Sequence, residues 1–411
     1  MAGTAREDYE RWLGRGLALD LTRGKPCPEQ LDLSSGLLAL AQDGSFARSD
    51  GDIRNYGGSA AGLLELREIF APLLQVPVDQ LCAADNSSLA LMYQAVITSF
   101  VDSPAADAPA WRNTEPPVFL CPVPGYDRHF GVCADLGVTM KPVPTNADGP
   151  DMDVLESLVA GDPNVKGMWL VPKYTNPAGW TVSPEVVRRL ATMPVAAPDF
   201  RIYWDNAYAV HDLTDTPDQL DDLLAACAAA GNPDRAFVFG STSKITFAGG
   251  GVSFFGSSPA NVAWWLKHAA KRTIGPDKIN QAQHAEFFGS PDGVLAHMQK
   301  HRAILEPKFA AVQDSLGKRL QGLDGVSWTN PNGGYFVSLE VQPGTASRVV
   351  ELAGAAGVKL TPAGAPFPYG SDPADTNIRL APSFPGAAEL EQALDVLADC
   401  IVLASDEASA G

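Results

Sequence analysis

Short apolar runs recur through the first two thirds of the chain, at residues 118–121, 138–143, 167–171, 201–204, 236–239 and 252–255. Each is too short for a stable helix and rich in β-branched or aromatic residues, which predicts strands. Elsewhere the apolar spacing follows the helical repeat, over residues 62–74, 89–100, 127–136 and 184–191. Strands alternating with helices predict βαβ units: an α/β fold whose mostly parallel, seven-stranded sheet is flanked by helices. Functional groups of such a sheet collect beyond the carboxyl ends of its strands.

The pattern changes near residue 291. A long helix over 294–321 precedes a short strand at 326–328, a Pro-Asn-Gly-Gly turn (331–334), a strand at 335–340 and a helix near 346–356. These elements predict a smaller α+β domain, joined by the N-terminal residues. The expected division is therefore 46–290 for the large domain, and 1–45 with 291–411 for the small one. Residues 103–117, rich in Pro and Ala, read as an exposed loop.

Composition narrows the function. The 411 residues are 45 % hydrophobic, enough for a large core, and carry a net charge of −18. That charge opposes nucleic acid or an anionic membrane as the main partner, but not a local anion site. No run of about 18 apolar residues occurs, and the polar start, Met1 to Glu10, does not read as an export signal. The expectation is a cytoplasmic protein. The six cysteines are scattered and read as reduced core residues. His297 and His301 lie four apart with no acidic third ligand nearby, so they read as a solvated helix face and no metal is expected.

Four strand ends carry candidate chemistry. Phe237-Val238-Phe239-Gly240-Ser241-Thr242-Ser243-Lys244 delivers an amine at the end of a buried strand, ahead of Gly249-Gly250-Gly251. Desolvation lowers the pKa of such an amine and suits it to attack on a carbonyl. Trp204-Asp205-Asn206-Ala207-Tyr208 places a carboxylate after an apolar strand, where it needs a cation. Lys173-Tyr174-Thr175-Asn176-Pro177 puts an amide in a turn. Asn86-Ser87-Ser88 opens a helix, where hydroxyls and backbone N–H groups either bind an anion or simply cap the helix.

Together these motifs resemble the fold type I pyridoxal-phosphate enzymes, specifically the class I aminotransferases. Tyr56-Gly57-Gly58 with Gly62-Leu63-Leu64-Glu65-Leu66-Arg67, Pro124-Gly125-Tyr126, Asn176-Pro177-Ala178-Gly179, Asp205-Asn206-Ala207-Tyr208 and Asn377-Ile378-Arg379-Leu380 resemble the motifs of that family. Leu21-Thr22-Arg23-Gly24-Lys25-Pro26, with Lys244-Ile245-Thr246-Phe247-Ala248-Gly249, is most similar to a divergent bacterial group of aspartate aminotransferases, subgroup Ic. The resemblance implies that Lys244 bonds pyridoxal 5'-phosphate and moves a proton, and that Asp205 holds the ring nitrogen's proton. It further implies that Asn176 and Tyr208 meet the phenolic oxygen and that Tyr126 stacks on the ring. Ser87, Ser88, Ser241 and Ser243 would hold the phosphate, with Tyr56 reaching it across a homodimer. Arg379 would receive the substrate α-carboxylate, with Asn176, Gly24 and Arg272 also binding substrate. One departure stands out: where the family places a phosphate-binding arginine, eight residues after the lysine, this chain has Val252.

The implied reaction carries the amino group of L-aspartate to 2-oxoglutarate. Arg23, Lys25, Arg128, Lys271 and Arg272 are candidates for reading the side-chain carboxylate, Arg272 at the position that relatives supply from the partner subunit. Aromatic or alanine-type donors, and a lyase outcome, stay open. Ser241-Thr242-Ser243-Lys244 also reads as the Ser-x-x-Lys acylation motif, yet its companion Ser-Asp-Asn and Lys-Thr-Gly strings are absent. A cofactor-sensing transcription factor would need a basic DNA-binding region, which the acidic composition opposes.

Overall fold

The computed structural model describes residues 2–39, 46–49, 51–55 and 57–410. Its main sheet is built from β1 (Leu81–Ala84), β2 (Val118–Val123), β3 (Thr139–Asn146), β4 (Gly149–Pro150), β5 (Val165–Leu170), β6 (Arg201–Asp205), β7 (Ala236–Ser241) and β8 (Ser253–Gly256). They lie in the order β1-β8-β7-β6-β5-β2-β3-β4. The run from β7 through β6, β5 and β2 to β3 is parallel. β8 is antiparallel to both of its neighbours. The eighth strand, beyond the seven expected, is the two-residue arm β4 turning back on β3. β1 escaped the hydrophobic pattern because Cys82, Ala83 and Ala84 are small.

Period-two alternation decides which core each side chain joins. Leu120, Met168, Ile202, Trp204 and Val238 pack on one face with helices Leu64–Leu74, Met152–Gly161 and Pro184–Thr192. Phe119, Trp169, Tyr203, Phe237 and Phe239 face the other way. There they meet α1 (Ser88–Val101), α2 (Asp127–Leu136) and α3 (Pro259–Arg272). Burial on both faces explains why these strands read as continuous apolar runs.

A third cluster joins the two ends of the chain. Tyr9, Leu19 and Leu21 pack with Phe309 and Val312 of α4 (Pro291–Leu320), and with the helix Ala387–Ala410. Leu19–Asp20 pairs in parallel with Val358–Lys359. Ser327–Trp328, Val337–Glu340 and Asn377–Leu380 form a three-stranded antiparallel sheet. Tyr174 and Tyr208, from loops beyond β5 and β6, pack into the same cluster. Among the described residues no helix is long and apolar enough to cross a membrane.

Two expectations need correction. Residues 103–117 are not simply an exposed loop: Trp111 is buried edge-on to Phe100 and Phe119, and its indole N–H donates to Asp199 Oδ2 at 2.8 Å. One aromatic anchor overrides the Pro/Ala composition around it. His297 and His301 are not a solvated face either; they are 4 % and 0 % exposed. α4 turns that face towards the loop after β7, where both rings find polar partners.

Candidate active site

The parallel strands bring their carboxyl ends to one edge of the sheet. β6 ends on Asp205, 2 % exposed, beneath that edge. His129 Nε2–H donates to Asp205 Oδ2 at 3.0 Å, and its ring stacks on Trp169 with centroids 4.6 Å apart. Asp205 Oδ1 is buried and has no partner. An orphaned carboxylate oxygen in a protein interior calls for a donor or a cation.

Lys244 lies in the turn after β7, its Nζ 5.0 Å from the centre of the Tyr208 ring. Burial lowers its pKa, and the charge of Asp205 works against that shift. Buried polar groups grip the turn from behind. The Lys244 carbonyl accepts from His211 Nε2–H and from the Tyr335 hydroxyl, each at 3.4 Å. The Ile245 carbonyl meets His297 Nε2 at 2.9 Å, and His301 Nε2 is 3.1 Å from His297 Nε2. Gln30 spends its two amide N–H bonds on His301 Nδ1 and Tyr335 Oη, both at 2.9 Å. On the far side His284 Nε2 accepts from the Thr246 hydroxyl at 2.9 Å. Five of the six histidines therefore surround Asp205 and the Lys244 turn.

A cavity of about 400 Å³ opens over Lys244 and Tyr208, lined also by Gly24, Tyr126, Asp127, Asn176, Phe336 and Arg379. Arg379, on the strand Asn377–Leu380, is 7 % exposed. Its Nη1 donates to Asp127 Oδ1 at 2.6 Å and to Asn176 Oδ1 at 3.4 Å, while its Cζ lies 5.1 Å from the Phe336 ring centre. Gly24 packs on that ring so closely that a Cβ would sit 2.3 Å from Phe336 Cζ. Tyr126 stands edge-on to His129, and burial pushes its phenol up to about 12. Burial also pushes the Tyr208 phenol well up.

The hydroxyl-rich segments converge beside Lys244. Ser87 caps α1, yet its side chain makes no capping hydrogen bond, so the hydroxyl is not spent on the helix. Ser88 follows as the first residue of α1. The Ser243 hydroxyl donates to the Asn86 carbonyl at 3.2 Å, and Ser243 N–H donates to Ser241 Oγ at 3.4 Å. These contacts fasten the lysine turn to the start of α1. Val252 is 1 % exposed in the core, so this position offers no cation.

The expected cations divide. Arg23 and Arg128 line the cavity. Lys25 sits over the Phe384 ring at 3.9 Å, and Arg272 pairs with Asp85 at 2.8 Å, so neither faces the cavity of its own chain. Lys271, the residue before Arg272 in α3, does not line it either. Tyr56 lies outside the described residues. Sequence reasoning missed His129, Asp127, Phe336 and Lys359. His129 carried a usable signal, being three residues after Tyr126 and hence on the same side of the first turn of α2.

A family model described as aspartate amino-transferase matches residues 1–411. The chain belongs to the aspartate aminotransferase family. It is a transaminase, an enzyme class dependent on pyridoxal phosphate. An aspartate aminotransferase of Corynebacterium glutamicum is 50 % identical over 403 residues, covering 98 % of this chain and 93 % of that one. A Mycolicibacterium smegmatis protein named provisionally as an aminotransferase is 55 % identical over 410 residues, covering 99 % and 95 %. Among solved structures, a Corynebacterium glutamicum aspartate transaminase superimposes with a TM-score of 0.96 at 50 % identity, covering 99 % of this aminotransferase and 96 % of that chain.

The site fits the family's cofactor. Asp205 Oδ1 is an orphaned acceptor for a protonated ring nitrogen, Lys244 presents a half-buried amine to the cavity, and the Ser87 hydroxyl at the start of α1 is unspent on its own helix.

Proposed function

We propose that this aminotransferase carries the amino group of L-aspartate to 2-oxoglutarate in two half-reactions, with pyridoxal phosphate bonded to Lys244. The observation that carries the reading is the cavity lined by both Lys244 and Arg379, an amine and a guanidinium on one open cleft. The cofactor supplies an electron sink for the carbanion formed at the substrate's Cα.

The chain's residues do the rest. Lys244 Nζ, its pKa lowered by burial, would take the proton from the substrate's Cα and deliver it to the cofactor's C4′. Asp205, steadied by His129, keeps the ring nitrogen protonated through Oδ1. Asn176 and Tyr208 orient the phenolic oxygen, and Tyr126 covers the ring. Ser87, Ser88, Ser241 and Ser243 hold the phosphate with the start of α1, in place of the arginine absent at 252. Arg379 receives the α-carboxylate beside Gly24. Arg23 and Arg128 stand on the cavity wall for a side-chain carboxylate, and the relative named for aspartate supports that donor.

A homodimer, with Tyr56 and Arg272 contributed across its interface, belongs to the same proposal. So do a cytoplasmic location and the division into residues 46–290 and 1–45 with 291–411; the cluster that joins both ends of the chain around α4 supports that division, while Val294 and Met298 at the start of α4 pack with the main sheet. The test is to mix the cofactor-loaded enzyme with single amino acids in the absence of any oxo acid. Aspartate should bleach the visible absorbance fastest. A faster response to alanine or phenylalanine would overturn the donor assignment, and a Lys244→Ala protein that still transaminates would overturn the mechanism.

A further inference from the structure

Asp127 is the first residue of α2 and, among the described residues lining the cavity, the one carboxylate. The other charged residues there are Arg23, Arg128, Lys244, Lys359 and Arg379. Asp127 does not face them at random: its Oδ1 is 2.6 Å from Nη1 of Arg379, the group read above as the substrate's carboxylate receptor.

Donor bookkeeping makes this contact consequential. A guanidinium has five N–H bonds, and a carboxylate docks best on two that point the same way. Nη1 spends its two on Asp127 and Asn176. Nε is buried beyond solvent reach and has no acceptor. Docking end-on therefore needs Nη1 together with Nη2, and Asp127 stands on Nη1. The two partners are unequal: the side chain of Arg379 is 7 % exposed and that of Asp127 30 %. Asp127 is the one that can leave, and its place in the first turn of α2, at the positive end of the helix dipole, stabilises its charge when it does.

We propose that Asp127 is a resident carboxylate on Arg379, occupying the receptor in the ligand-free site and displaced by the incoming substrate carboxylate. The inference rests on the reading of Arg379 as that receptor. A site occupied by its own carboxylate binds ligands with an affinity reduced by the fraction of time the receptor is free. The reduction is the same factor for every carboxylate ligand, because the group displaced is the same.

The test is calorimetric titration of the cofactor-loaded enzyme with succinate and, separately, propionate, neither of which carries an amine to react. Asp127→Asn should bind both about fivefold or more tightly, by a common factor, and Asp127→Glu should stay near the wild-type value. Unchanged or weaker binding to Asp127→Asn would overturn the proposal and make Asp127 a fixed support of Arg379. A gain confined to one ligand would overturn it too, pointing to simple charge repulsion. Arg379→Gln separates the two levels. If that variant loses both ligands while Asp127→Asn gains nothing, only the displacement idea falls. If it binds both like the wild type, the receptor assignment falls and the inference with it.

Discussion

His129 and Asp205 form a buried pair: the imidazole N–H donates to one carboxylate oxygen at 3.0 Å and leaves the other, Oδ1, without a partner. The pair is built from two separate elements, α2 and β6, and Trp169 of β5 holds the imidazole flat from below. The arrangement leaves a single buried acceptor on the carboxylate without a partner.

Replacing His129 by Phe keeps a ring on Trp169 but strips Asp205 of its donor. Leaving that carboxylate unsatisfied costs about 1–3 kcal/mol. The expected outcome is a lower melting temperature of the cofactor-free protein and weaker cofactor binding, with kcat falling more than KM rises. Absorbance titration with cofactor and a thermal melt check it; wild-type affinity in the variant would refute the support role.

In the proposed site the phosphate would rest on hydroxyls, since the apolar Val252 is buried in the core and offers no charge. A hydroxyl donating to a charged oxygen contributes about 1.5–3 kcal/mol. Ser87→Ala should therefore raise the cofactor dissociation constant roughly tenfold to a hundredfold. Since the Ser87 side chain makes no capping bond, the melting temperature of the cofactor-free protein should stay within a degree or so.

Gly333 touches the loop that carries Asn176. A Cβ there would lie 2.1 Å from Cε2 of the buried Tyr174. The Tyr174 hydroxyl donates to Asp212 at 2.7 Å and accepts from the Asp218 N–H at 3.1 Å, so the ring has nowhere to move. Gly333→Ala should cost at least about 1–3 kcal/mol by overpacking. Chemical denaturation measures it, and an accompanying rise in KM would show that Asn176 moves with Tyr174.

Acid stability follows from the buried histidines. Burial, and then His297, hold the His301 ring down at about 4 against an ordinary 6.5. Burial lowers His297 and His211 as well. Between 6.5 and about 4 the unfolded chain therefore binds protons that the folded chain refuses. The stability contributed is complete above 6.5 and is lost as pH falls through that window. His301→Gln should flatten the acid limb of a stability-against-pH curve, measured by urea unfolding; an unchanged slope would show that His301 does not titrate on unfolding.

The histidines also show where sequence reading stops. His297 and His301 look like a solvated face because a helix pattern does not reveal what lies across from it. Burial came from a loop 52 residues earlier, whose Ile245 carbonyl needed a donor. Arg272 is a parallel case: its place in the chain suggests substrate binding, while within one chain it pairs with Asp85. Asp127 gave no signal, since an acidic residue in the first turn of a helix is ordinary.

The chain alone determined the α/β architecture, because strands buried on both faces must be apolar along their length, and it marked Lys244, Asp205 and Asn176 by placing chemistry at strand ends, and Arg379 by the motif around it. The tertiary structure alone decided which partners meet them. His129 on Asp205, Asp127 on Arg379 and Tyr335 on the Lys244 carbonyl each join segments far apart in the chain. Such pairings depend on distance and direction in space, which a local pattern of polar and apolar residues does not encode.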